Sequence, residues 1–129
     1  IFRIQRTSTP HIVRLKYYHG AGGGGPVTRG VIQTARMAVY MPDADIVLTG
    51  HTHDAWMVPI ARERCSARGK LSHDEQLHIR AGTYKDEYGD GYDGWHVETM
   101  KPPKPLGAWW LRFYFTDRET LSWQAIRAT

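Results

Sequence analysis

Three of the seven histidines stand where imidazole rings could bind a metal ion. His19 follows the run HIVRLKYY at positions 11–18, and His51 and His53 follow the run DIVLT at positions 45–49. Neutral imidazole is the side chain that proteins use most often as a metal ligand. A single histidine after a strand is usually only a polar boundary residue. His-Gly after one run together with Gly-His-Thr-His after another favours a metal site.

Two strands with a helix between them would bring these histidines together. The β-branched and aromatic residues at positions 11–18 predict a strand, and the continuous apolar run at 45–49 predicts a strand buried on both faces. Between them an apolar residue recurs every four positions from Val27 to Val39, which predicts a helix that opens at Pro26 and closes at positions 40–42. Ligands of open α/β sheets bind beyond the carboxyl ends of the strands, where the histidines fall.

The backbone at Gly50 decides how the two adjacent histidines are used. If the segment is extended, the rings of His51 and His53 face one side. If the chain turns at Gly50, which glycine permits, the rings diverge and could serve two different ions. The sequence leaves both arrangements open.

The sequence IVLTGHTH at positions 46–53 resembles the GHxH motif of the calcineurin-like metallophosphoesterases. LKYYHG at positions 15–20 resembles the strand-end histidine that precedes this motif in the family, and the resemblance covers about positions 12–56. It implies that His19 and His51 ligate one metal ion and that His53 ligates another. The implied cofactors are two divalent ions of manganese, iron, zinc or nickel.

The resemblance also implies a fold and a domain. The family builds its site from five motifs, and the first three, DxH, GDxxD and GNH[DE], do not occur in this sequence. Positions 1–129 are therefore expected to be the C-terminal half of a phosphoesterase domain. The expected fold class is α/β, the C-terminal part of a four-layer α-β-β-α sandwich with two mixed sheets.

The function that the resemblance implies is hydrolysis of a phosphomonoester or phosphodiester by a metal-activated hydroxide at a two-metal site. The alternative is a non-catalytic, truncated module that binds metal or nucleic acid. Expected partners are a phosphoester substrate, with nucleic acid among the candidates, and either the missing N-terminal half or a second copy of the chain. Catalytic and substrate-binding residues stay unassigned.

Composition restricts the partners and the compartment. The net charge of +4 and the pI of about 9.4 favour anionic partners, although basic residues on a solvated surface explain the charge equally well. A single cysteine suits a reducing compartment, and no run approaches the roughly 20 apolar residues of a membrane span. We therefore expect a cytoplasmic location and no membrane partner.

Later segments predict strands at positions 56–64 and 76–81 and a hairpin of 108–115 with 121–126. The polar loop at 84–95 is of a type that often determines specificity. Four histidines lie outside the two motifs and are expected to be surface or structural residues: His11, His73, His78 and His96. For His96, a functional role is kept open because its neighbourhood is rich in glycine.

Four further features each have a chemical and a structural interpretation. The glycine-rich run at positions 20–25 could let a phosphate approach the helix N-terminus or could form a spacer, and Arg29 could contact an anion from the first helical turn. Asp54 could orient an imidazole or lie on the surface. A set of aromatic residues could stack on bases, but strand alternation favours the core; the set is Trp109, Trp110, Phe113 and Phe115.

Overall fold

The computed structural model describes residues 1–23, 25–89 and 94–129. Along the chain the elements are β1 (Phe2–Gln5), β2 (Pro10–Val13), β3 (Leu15–Tyr18), α1 (Gln33–Tyr40), β4 (Ile46–Thr49), β5 (Trp56–Cys65), β6 (Leu71–Arg80), α2 (Trp95–Glu98), β7 (Ala108–Phe115) and β8 (Leu121–Ala128). Within these ranges the strands form a central sheet in the order β3-β4-β6-β5 and two separate pairs, β1-β2 and β7-β8.

The predicted α/β fold, part of a four-layer α-β-β-α sandwich with two mixed sheets, is wrong. Over the described ranges strands make up 44% of the structure and two helices 10%, so the chain is a small β-rich domain. The helices are too short to form layers: α1 has eight residues, a length of about 12 Å. Val39 and Tyr40 at its end are 74% and 70% exposed, so little of this helix packs against the sheet.

The core lies where the central sheet meets the β7-β8 pair. Val13, Ile46 and Ile79 are fully buried at its centre. Side chains from the β7-β8 pair pack against them, among them Trp109 and Phe113. The core interpretation of these two aromatic residues is therefore confirmed, whereas Trp110, on the opposite face of β7, is 69% exposed.

The run at positions 11–18 forms two strands rather than one. The chain bends at Arg14, whose backbone N–H donates to the Asp45 carboxylate at 2.8 Å. The Arg14 carbonyl accepts hydrogen bonds from the backbone N–H groups of Asp45 and Ile46 at 2.9 and 3.2 Å. The bend lets β2 pair antiparallel with β1 while β3 pairs parallel with β4.

The helix begins at Gln33, not at Pro26, and ends at Tyr40 as predicted. Arg29 and Gly30 have φ values of +47° and +77°. This left-handed conformation is incompatible with a right-handed helix, so positions 26–32 form turns instead. Arg29 is consequently not on a helical turn, and the glycine run does not lead directly into a helix N-terminus. Gly24 lies outside the described residues.

The remaining predicted strands are confirmed, although β6 begins at Leu71, five residues before the predicted start at position 76. β4 is almost entirely buried, and the side chains of β5 alternate between half-buried and exposed. The hairpin pairs Phe115 with Leu121 and Ala108 with Ala128. The described part of the loop at 84–95 contains no strand or helix before α2, and its positions 90–93 lie outside the described residues.

None of the helices in the described ranges is both long enough and apolar enough to cross a membrane.

A chain of buried polar groups joins β6 to the turn that precedes β4. The Gln76 amide donates to the carbonyls of Met41 and Ala44 at 3.0 and 2.8 Å. Its oxygen lies 2.7 Å from Nε2 of His78 and therefore accepts from that ring. His78 is 3% exposed. Its pKa is lowered to about 4, first by burial and then by the positive charge of Arg62.

The buried neutral His78 should make stability depend on pH. The unfolded ring titrates near its usual pKa of about 6.5, so the stabilising contribution is complete above that pH. It should be lost as pH falls towards 4, by up to about 3 kcal/mol of unfolding free energy. Urea unfolding across this range should show a shallower pH slope in His78→Asn than in the unchanged chain. His73→Asn, at an exposed position of the same strand, should retain the full slope, and equal slopes in all three proteins would contradict the assignment.

Candidate metal site at the ends of the parallel strands

Strands β3, β4 and β6 run parallel, so their carboxyl ends meet at one edge of the central sheet. Tyr18 pairs with Thr49, and Thr49 pairs with Arg80. His19 follows β3 directly, and His51 follows β4 after Gly50. The backbone N–H of Gly50 donates to the His19 carbonyl at 2.9 Å, which continues the pairing one residue beyond the strands.

This pairing brings His19 and His51 into contact. Nε2 of His19 lies 3.1 Å from Nδ1 of His51, so one ring donates a hydrogen bond to the other. Two nitrogen ligands of a tetrahedral zinc ion, each about 2.0–2.1 Å from it, lie about 3.3 Å apart. The two nitrogens therefore already have a separation close to that of two ligands sharing one ion. Both side chains are exposed and accessible from solvent.

The segment after β4 turns, as the second of the two arrangements requires. His51 and His53 have φ values of +75° and +58°, a left-handed conformation that is uncommon for residues other than glycine, asparagine and aspartate. The backbone N–H of Thr52 donates to the Gly50 carbonyl at 3.1 Å. Such conformations are unfavourable and are found most often at functional sites.

Arg80 holds this turn in place. It is 3% exposed, and its guanidinium donates to the Gly50 carbonyl at 2.6 Å and to the Thr52 hydroxyl at 3.3 Å. The same guanidinium lies 5.2 Å from the centre of the Trp56 ring. Arg80 was not among the residues predicted for the site. It could have been found from its position at the carboxyl end of a predicted strand, because His19 was identified from a similar position.

The rings of His51 and His53 have different partners. The ring centres of His19 and His51 are 5.1 Å apart, and the ring of His53 lies 5.8 Å from that of His96 on α2. Within the ranges that the structure describes, no group of three or more His, Cys, Asp or Glu side chains is arranged to hold a metal ion. The described residues therefore supply imidazoles in pairs.

His96 was expected to be a surface or a structural residue, and the structure shows that it is not on the surface. It is 4% exposed, and in the described part of the protein its Nδ1 has no hydrogen-bond partner. Its position in the sequence, after a glycine-rich loop and away from any strand end, gave little indication of a link with His53.

Charged groups surround the second pair. Lys104 donates to the Asp54 carboxylate at 3.0 Å, and both side chains are largely buried. The surface interpretation of Asp54 is therefore wrong. Its carboxylate forms an ion pair with a lysine and is not hydrogen-bonded to an imidazole in the described part of the chain. The pKa of His53 is lowered, first by burial and then by the positive charges of His96 and Lys104. A lowered pKa favours the neutral ring, which is the form that ligates metals.

A cavity of about 240 Å³ is lined by one ring of the first pair and by both rings of the second. Its walls include His51, His53 and His96 together with Lys101 and Lys104. The Lys101 ammonium lies 3.4 Å from the centre of the Trp95 ring. Both lysines also line a neighbouring cavity of about 640 Å³ that contains Arg29. The site thus combines possible metal ligands with cationic side chains that could bind an anion.

Gly20 should be essential for the contact between His19 and His51. Its φ is +100°, and a Cβ there would lie 3.1 Å from the Gly50 carbonyl oxygen and 3.3 Å from Cβ of His51. Gly20→Ala should lower the free energy of unfolding by roughly 1–3 kcal/mol, from backbone strain and crowding. Urea titration measures this effect.

Gly69→Ala is the matched control. Gly69 also has a positive φ, +75°, but a Cβ there would meet no atom within 4 Å. It should therefore report the strain alone and destabilise less than Gly20→Ala. Equal losses would show that the approach of the two strand ends is not tightly packed.

Comparison of the chain with models of known families, with curated proteins and with solved structures finds no match. The resemblance to metallophosphoesterases therefore depends on the two histidine motifs alone.

Proposed function

We propose that the chain carries metal-ligating residues of a hydrolase that acts on phosphomonoesters or phosphodiesters. The observation that supports it most strongly is the 3.1 Å separation of Nε2 of His19 and Nδ1 of His51. These rings stand at the ends of adjacent parallel strands, on a turn held in an unfavourable conformation. The GHTH sequence at 50–53 supports phosphoester hydrolysis as the reaction class.

The donor set fits a divalent ion of borderline softness. His19 and His51 would hold one ion, and imidazole nitrogens suit zinc, iron or nickel and also accept manganese. When bound, such an ion polarises the phosphoryl group and lowers the pKa of a water molecule so that hydroxide can attack. Ions of this kind usually take four or more ligands. Since the described ranges provide pairs, further ligands would come from another segment or from a partner chain.

The cationic side chains of the cavity would bind and orient the substrate. Lys101 and Lys104 line the same cavity as the histidines, and a phosphate there would meet two ammonium groups. The Asp54 carboxylate partly neutralises Lys104, which leaves Lys101 as the stronger attraction. Arg80 would act as a positioning residue, because it fixes the turn that carries His51 without lining the cavity.

A non-catalytic module that binds metal or nucleic acid is the second candidate. The observation that favours it is the pairwise ligand set within the described ranges, which is too small for a two-metal enzyme. Nucleic-acid binding without catalysis would weaken steeply with salt and would be unaffected by a chelator. Phosphoester hydrolysis by the proposed site would be abolished by the chelator and restored by manganese.

Replacing His51 should remove one metal ion and the activity together. The protein to test is the complete product of the reading frame that encodes this chain, with bis-p-nitrophenyl phosphate as substrate and elemental analysis for metal. His51→Asn keeps a residue that tolerates positive φ, so the backbone should be preserved. We expect kcat/KM to fall by at least about 100-fold, as for loss of a metal ligand or its support.

His73→Asn is the control, because His73 is exposed and lies near the amino end of β6, whereas the site lies at the carboxyl end of that strand. It should retain both metal and activity. Unchanged metal content in His51→Asn would exclude the assignment of this ligand. A wild-type protein that binds metal but has no turnover on mono- or diesters would exclude the hydrolase.

Lys101→Gln should separate substrate binding from the chemical step. Loss of one ammonium from the cavity wall should raise KM several-fold and leave kcat within about twofold, because uniform binding energy is lost. Steady-state kinetics at low ionic strength measures both quantities. Lys70→Gln, in the exposed turn after β5, should change neither, and a fall in kcat alone for Lys101→Gln would contradict a binding role.

A further inference from the structure

We propose that His53 and His96 form a second divalent-metal pair, separate from the pair of His19 and His51. This inference deepens the proposed function and rests on it, since both treat the imidazoles of this edge as ligands. The resemblance implies a metal-binding role for His53, but nothing in the sequence or its motifs assigns one to His96.

The ring geometry permits a shared ion. Each ring centre lies about 3.2 Å from an ion bound through its nitrogen, so two rings on one ion have centres at most about 6.4 Å apart. The observed separation is 5.8 Å with an angle of 68° between the ring planes. The first pair has similar values of 5.1 Å and 78°. Both separations lie below this upper limit; the first pair is close to the roughly 5.2 Å that a tetrahedral angle gives, and the second pair would have to close by roughly 0.6 Å.

The environment of His96 indicates a missing partner. Its side chain is more than nine-tenths buried, and its Nδ1 has no hydrogen bond in the described part of the chain. Buried polar atoms without partners are rare in proteins. In a ring that only fills space, a buried nitrogen without a hydrogen bond is unfavourable. In a metal ligand, the nitrogen must be without a hydrogen bond so that it can bind the ion.

Both rings line the same cavity. His53 and His96 both line the 240 Å³ space that His51 also lines. His53 is half-buried, so an ion could reach it from solvent. The ring of His53 has His96 as its aromatic neighbour, whereas the ring of His51 has His19.

The charges near this pair are mixed: Lys101 and Lys104 line the cavity, and Lys85 forms an ion pair with the Glu87 carboxylate. Lys104 is positive, but it is paired with Asp54 at 3.0 Å. Glu87 is buried, and within the described ranges its second carboxylate oxygen has no partner. Trp95, the residue before His96, donates its backbone N–H to this carboxylate. The carboxylates of Asp54 and Glu87 therefore offset two of these three lysines.

The test measures the stoichiometry of Co²⁺ and Zn²⁺ in the complete product of the reading frame by equilibrium dialysis and elemental analysis. The unchanged protein should bind two ions. His53→Gln and His96→Gln should each lose one ion, or bind it at least tenfold more weakly, and the double variant should be no worse than either single variant. His19→Gln should lose the other ion, and His73→Gln should bind both.

A second measurement needs no variant and excludes misfolding as an explanation. In the Co²⁺-loaded protein, imidazole N–H protons of metal-bound histidines show paramagnetically shifted NMR signals. Signals from four rings, those of His19, His51, His53 and His96, are expected. Signals that exclude His96, or two ions retained with unchanged affinity in a folded His96→Gln variant, would overturn the inference.

The outcomes also separate this inference from the proposed function. Two bound ions without phosphoester turnover would reject the hydrolase and keep the second pair. Turnover that survives in His96→Gln with both ions still bound would keep the hydrolase and reject the second pair.

Discussion

The candidate site depends on the parallel pairing of β3 with β4. Tyr18 lies opposite Thr49 in this pairing, and the residues that follow each strand are therefore placed side by side. A shift of one residue in register would turn alternate side chains to the opposite face of the sheet. The buried run of β4 opposes such a shift, because Ile46 and Val47 are both fully buried. The contact between His19 and His51 is thus fixed by hydrophobic packing several residues away from it.

A second constraint is the buried guanidinium of Arg80. An arginine in the interior needs hydrogen-bond acceptors, and Arg80 finds them in the Gly50 carbonyl and the Thr52 hydroxyl. These acceptors are available only when the segment after β4 turns back. Burial of one side chain therefore offsets the unfavourable φ values of His51 and His53. The hydrogen bonds of Arg80 thus stabilise the turn that carries His51 and His53.

Local patterns predicted the strands well and the fold poorly. The alternation in β5 and the continuous apolar run in β4 each identify a strand from neighbouring residues alone. The fold class depended instead on a resemblance that covers about positions 12–56, and it could not show that β7-β8 covers the core where helices were expected. The helix start was missed because apolar periodicity does not report the left-handed φ values of Arg29 and Gly30.

Only the part of the candidate site that follows recognisable strands could be predicted from the sequence. His19, His51 and His53 were identified because each follows a recognisable strand, and the structure places the first two in contact. His96 and Lys104 could not be found in this way, since they come from a short helix and an irregular segment whose positions depend on tertiary contacts. Asp54 was left between two interpretations because its lysine partner lies 50 residues away in the sequence.

The parallel order of the central sheet also affects when the site can form. Parallel neighbours cannot be joined by a tight turn, and His19 and His51 are 32 residues apart. Closing so long a loop is slow compared with forming a hairpin such as β5-β6. We therefore expect the imidazole pair to assemble after the β5-β6 hairpin has formed. Any ligand that binds there recognises only the nearly complete fold, so it prolongs the lifetime of the native state and does not accelerate folding.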